Sequence, residues 1–217
     1  MTARTATDEV ELIELGHDDR GPAPPHKLGR GDERPPRFPQ HAYLTGLVLA
    51  LAGILMFFLA LISAFVVRKG LGGDWAATAV PRILWFNTAV LIISSLTLER
   101  ARRGLGMVEL PTFRAWWGAT TALGVAFLAG QIVAWRQLAE AGVFLATNPS
   151  SSFFYVLTGA HGLHLLGGVL SLTIVGLRGD RPDARLTRST AARVAGVYWH
   201  FMGLLWVCLF LLLLLGQ

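Results

Sequence analysis

The chain has 217 residues, 53% of them hydrophobic and only 15% charged, with a formal net charge of +5. Soluble domains carry about 25% charged residues. Here the charges cluster between long apolar runs, which excludes an ordinary soluble domain and marks a polytopic membrane protein. The basic residues sit at the ends of those runs, so membrane orientation accounts for them without a nucleic-acid partner.

Residues 1–40 hold six prolines (Pro22, Pro24, Pro25, Pro35, Pro36 and Pro39) among Gly, Asp, Glu, Arg and Lys. Such a segment buries too little apolar surface to offset its ordering entropy and reads as a disordered tail. It lacks the basic start, short apolar core and cleavage site of a signal peptide. The membrane domain is expected over residues 41–217.

The first span is expected from Tyr43 to Val67, closed by Arg68 and Lys69. Gly46, Ala50, Gly53, Phe57, Ala60 and Ala64 recur at helical spacing, and such a small-residue face predicts close approach of another helix. The loop that follows carries Trp75, an expected interface anchor. The second span is short, Ile83 to Leu98, with Asn87, Ser94 and Ser95 expected to hydrogen-bond between helices. The third runs from Ala115 to Trp135. Trp116, Trp117 and Trp135 are placed at its two interfaces, and Gln131 is read as a helix–helix contact.

The fourth span, Ser152 to Leu177, organises the rest. The preceding Asn148-Pro149-Ser150-Ser151-Ser152 supplies helix-start chemistry. Thr158, His161, His164, Gly168 and Ser171 share a face that should look toward protein or a polar headgroup, while Leu163, Leu166 and Leu170 look toward lipid. The last span, Val194 to Gly216, contains Tyr198-Trp199-His200-Phe201 and the single cysteine, Cys208, read as a buried small hydrophobe. With one cysteine, no intrachain disulfide can form. Lys and Arg number six in the tail, four in the second loop and five in the fourth, against three, one and none in the alternating segments. The N-terminus is therefore expected in the cytoplasm and the C-terminus outside.

Histidines within spans raise the question of a haem. Two axial ligands must lie at one depth. From the expected span ends, His164 and His200 differ in level by about 11 Å, and His161 by more. His41, near the inner edge of the first span, is closer in level to His200. No Asp, Glu or Lys lies inside a span, so a proton or ion relay through this chain is not expected. A stand-alone membrane cytochrome b needs histidine pairs at matched levels, and a transporter needs buried charge or an internal repeat. The residues point instead to a subunit that packs and supports.

At two spans the sequence becomes specific. Phe153-Phe154-Tyr155-Val156-Leu157-Thr158-Gly159-Ala160-His161-Gly162-Leu163-His164 resembles the hallmark helix of subunit III of the haem–copper oxidases. Tyr198-Trp199-His200-Phe201 with Trp206 is similar to the final helix of that family. Met56-Phe57-Phe58 with Ser63-Ala64-Phe65, and Asn87-Thr88 with Ser94-Ser95, resemble its earlier helices. The resemblance implies an all-α bundle of five transmembrane helices, two splayed from three around a lipid-filled cleft. It implies an accessory subunit of a bacterial cytochrome c oxidase or, alternatively, quinol oxidase. Such a subunit would lie beside subunit I and near subunit II in the cell membrane, sustaining oxygen reduction coupled to proton translocation. Haem and copper would reside in those partners, with phospholipid bound to this chain. By matching position, His161, His164, His200, Trp199, Tyr198 and Asn87 become lipid or packing candidates. Three acidic residues common in the family are absent: Arg82 stands five before Asn87, Gly203 follows the Tyr-Trp-His-Phe segment, and Ile, Val, Ala and Trp follow Gln131. Proton-handling roles tied to those carboxylates do not carry over.

Overall fold

The computed structural model describes residues 40–216, apart from 72, 74, 77, 79, 107–109 and 178–184. The tail read as disordered lies outside the described residues. Five helices follow in order: α1 (Gln40–Leu71), α2 (Ile83–Gly106), α3 (Leu110–Glu140), α4 (Pro149–Leu177) and α5 (Arg185–Leu215). Each contains a stretch long and apolar enough to cross a bilayer. The chain is an all-α, multi-pass membrane protein, and no strand occurs among the described residues.

The helices outrun the apolar spans because their polar ends remain helical beyond the hydrocarbon. At the end of α2, Glu99 pairs with Arg102 and Arg103 at 3.3 Å each, one helical turn apart, and the helix continues to Gly106. The α3 C-terminus closes on Gly142, whose φ of +75° suits glycine. There the Val143 amide donates to Leu138 at 2.9 Å and the Gly142 amide to Ala139 at 3.0 Å, a Schellman closure. At the start of α4, Asn148 Oδ1 accepts from the Ser151 amide at 2.8 Å while Ser151 Oγ accepts from the Asn148 amide at 3.2 Å. This reciprocal cap starts the helix at Pro149, three residues before the apolar run.

α2, α3, α4 and α5 close a ring in that order, and α1 lies on its flank, chiefly against α5 and α4. The expected division into two helices splayed from three is thus not observed: one helix stands aside from four. The expected packing face of α1 is also reversed. Gly46, Ala50, Gly53, Phe57, Ala60 and Ala64 are exposed, and the seam instead uses Ile54, Phe58, Leu61 and Phe65. Bulky side chains fill the groove between α4 and α5, which the smaller face would leave open. The end of α1 is tied to the end of α5: Lys69 Nζ donates to Leu215 O at 2.7 Å and Trp75 Nε1 to Gly216 O at 3.2 Å. Cations and donors there satisfy the last carbonyls of a helix. Trp75, expected at the interface, serves as a cap.

Candidate functional site

The interior of the ring is fastened by one recurring device. A Ser or Thr hydroxyl donates to a carbonyl of its own helix and accepts an indole N–H from another. Ser94 donates to Leu91 O at 2.7 Å and accepts from Trp199 Nε1 at 3.0 Å. Thr88 donates to Leu84 O at 2.8 Å and accepts from Trp206 Nε1 at 3.0 Å. Thr158 donates to Phe154 O at 2.7 Å and accepts from Trp135 Nε1 at 3.1 Å. Back-bonding satisfies the hydroxyl within the helix, and the indole gains the acceptor that a buried N–H needs. These pairs join α2 to α5 and α3 to α4. A direct Thr97–Thr120 contact of 2.9 Å joins α2 to α3, and Trp117 Nε1 donates to Leu172 O at 2.8 Å. Trp117, expected at the interface, is therefore an interior fastener, 2% exposed.

Glycines provide the notches that let these large side chains in. A Cβ on Gly124 would lie 2.6 Å from Trp199 Cη2 and 2.9 Å from Val169 Cγ2. One on Gly130 would land on the Asn87 carboxamide. One on Gly168 would lie 3.0 Å from Tyr198 Cε1 and 3.4 Å from the Trp199 ring. Asn87 is fully buried in its notch with no protein hydrogen-bond partner.

The three histidines take different positions. His161 is fully buried, its ring 5.0 Å from Trp206, 5.9 Å from Phe127 and 6.5 Å from Phe58. His164 is half-buried. Its Nδ1 donates to Ala160 O at 2.8 Å, which fixes that nitrogen as the protonated one, and its ring meets Phe58 at 5.6 Å. His200 is half-buried toward α2, where Arg102 and Glu99 are its charged neighbours. Tyr198 packs on Gly168 and its hydroxyl donates to His164 O at 2.8 Å.

These contacts set Trp199 and His200 level with Gly168, about 6 Å from His164 and about 10 Å from His161. The 11 Å separation expected for His164 and His200 is thus too large. α5 starts at Arg185, nine residues before the apolar run, so His200 lies deeper in its helix. His41 lies outside the residues whose side chains are described. Among the described residues, no three His, Cys, Asp or Glu side chains converge.

The face expected on α4 is partly corrected. Thr158, His161 and Gly168 are buried and the leucines at 163, 166 and 170 are exposed, but Ser171 is exposed as well. Ten residues carry Ser171 about 80° around the helix from His161, and the buried stripe runs through Phe154, Leu165 and Leu172 instead. Cys208, expected to be buried, is exposed. The hydroxyl–indole pairs were not foreseen. Their signal was the recurrence of Ser, Thr and Trp at positions inside apolar runs.

The family model described as Cytochrome c oxidase subunit III matches residues 38–216. The chain is 33% identical to the cytochrome c oxidase subunit 3 of Synechocystis sp. over 175 residues, covering 78% of this chain and 74% of that one. It is 32% identical to that of Thermostichus vulcanus over 172 residues, covering 77% and 84%. It is 31% identical to the probable subunit 3 of Nocardia farcinica over 169 residues, covering 76% and 83%. The chain belongs to the cytochrome c oxidase subunit III family, whose members are membrane subunits of an oxidase complex.

Proposed function

We propose that this chain is the accessory third subunit of an aerobic terminal oxidase, with no redox centre of its own, seated beside the haem-bearing subunit I. One observation carries the reading: the interior is committed to fastening helices. His164 Nδ1 is spent on Ala160 O, four indoles are spent on hydroxyls or a carbonyl, and His161 is enclosed by aromatic rings. Such contacts hold helices in place, which supports a packing role for this interior. Haem and copper then belong to the partner subunits, where oxygen reduction is coupled to proton translocation. The charge pattern supports a cytoplasmic N-terminus in the bacterial cell membrane.

The open groove of about 760 Å³ between the end of α1 and the start of α4 is the place this reading gives to part of a bound phospholipid. Arg68 with Asn148 and Ser152 would face its headgroup, and Val67, Leu71 and Phe153 its chains. The test is purification of the tagged chain in mild detergent. Subunits I and II should co-purify with oxidase activity and a haem spectrum, and the isolated chain should show no Soret band. A haem spectrum from the isolated chain, or recovery without any haem-bearing partner, refutes the reading.

A further inference from the structure

Among the described residues, seven buried side-chain polar atoms have no protein partner. Six of them belong to Asn87, Gln131 and His161. These residues come from α2, α3 and α4 and are 0%, 2% and 0% exposed. The packing brings them to one level. Asn87 fills the notch at Gly130, next along α3 to Gln131. The Trp135–Thr158 bond and the Gly124–Val169 contact fix the antiparallel register of α3 and α4. One turn inward from that bond, this register sets Gln131 on α3 at the level of His161 on α4.

We propose that Asn87, Gln131 and His161 form a buried water-binding site in the middle of the bundle, with ordered water linking the three. Each amide offers an acceptor oxygen and a donor NH₂, and a neutral imidazole offers one donor and one acceptor. A mixed set of donors and acceptors suits water, which supplies both and makes two to four hydrogen bonds at such sites. It does not suit a lone anion, because the carbonyl oxygens repel it. It does not suit a divalent cation, because no carboxylate is present. The neighbouring polar groups are already used: Trp206 Nε1 donates to Thr88, and Thr88 donates to Leu84 O. The aromatic wall of Phe58, Phe127 and Trp206 closes the rest of the His161 surroundings. Native interiors rarely leave both ends of three polar side chains unmet, and water is the usual partner where protein supplies none. The site rests on the packing of this chain, so it stands or falls separately from the oxidase role.

The test uses the intact assembled complex and the full chain. In a cryo-EM map that resolves ordered water elsewhere in the complex interior, density should appear within hydrogen-bond distance of at least two of the three side chains. In vesicle-reconstituted chain labelled with ¹⁵N-histidine, the His161 ring nitrogens should receive magnetisation from water protons at short mixing times. The signal is assigned by its loss in His161→Leu, and Gln131→Met should weaken the transfer. A map in which the three side chains bond directly to one another, or a layer with no density, overturns the proposal. So does a His161 signal that receives no magnetisation from water.

Discussion

Gly124→Ala is the sharpest test of how the ring is held. The new Cβ would lie 2.6 Å from Trp199 Cη2, 3.2 Å from Cζ2 and 2.9 Å from Val169 Cγ2. Trp199 is fully buried and its Nε1 is bonded to Ser94, so the indole cannot retreat without loosening that bond. Overpacking of this kind costs about 1–3 kcal/mol. A weakened interhelical hydrogen bond in a membrane adds about 0.6 kcal/mol on average. Alanine's better helix propensity offsets up to about 1 kcal/mol. The net is about 1–3 kcal/mol destabilising, roughly 5- to 150-fold in the unfolding equilibrium. The assay is reversible unfolding of the reconstituted chain in mixed micelles, followed by tryptophan fluorescence. Trp199→Phe removes the benzo edge carrying the two indole atoms and leaves only the Val169 clash, so Gly124→Ala should cost less in that background. A Gly124→Ala midpoint equal to wild type, or strict additivity in the double variant, would refute the notch as the reason for glycine here.

Three further outcomes follow from the same packing. Trp206→Phe keeps most of the ring but loses the Thr88 bond, and should cost less in unfolding experiments than Trp206→Ala, which opens a large cavity worth about 3–5 kcal/mol. Gly142→Ala puts a side chain at φ +75°; thermal unfolding should show a loss of about 1–2 kcal/mol, and Gly142→Asn a smaller one. Gly53→Leu, at a position with no atom within 4 Å of a new Cβ, gains helix propensity without a clash and should not lower the midpoint of the isolated chain.

Much of the fold was legible because a bilayer leaves few choices. An apolar run of sufficient length must be a helix, so five runs gave five helices. Their limits were not legible from apolarity alone. The Glu99 pairs extend α2, and the Asn148–Ser151 cap starts α4 early. α5 likewise starts at Arg185, nine residues before its apolar run, which moved His200 relative to His164 and altered the level arithmetic. Which side of α1 would be covered was also hidden. Small residues permit close approach by a neighbour, yet here Phe58 and Phe65 make the seam and the glycines face outward. Of the site residues, His161 inside and the leucines of α4 outside followed from polarity. Trp117 did not, because an indole near a span end suits the headgroup region as well as a carbonyl on the next helix.

The most apolar span, α1, is the least buried of the five. The physics of the solvent explains this. Lipid is as apolar as a leucine side chain, so transferring leucine from lipid to protein gains little, and association must come from close packing and hydrogen bonds. The ring helices therefore carry the polar groups, Thr88, Ser94, Thr120 and Thr158, together with the glycine notches that seat the rings of Trp199 and Tyr198. α1 has few of either and is held mainly by aromatic contacts at Phe58 and Phe65 and by the Lys69 and Trp75 caps at one end. It follows that conservative apolar exchange should be tolerated along most of α1. Replacing the hydroxyl of Thr88, Ser94 or Thr158 would instead strand an indole N–H in the apolar interior.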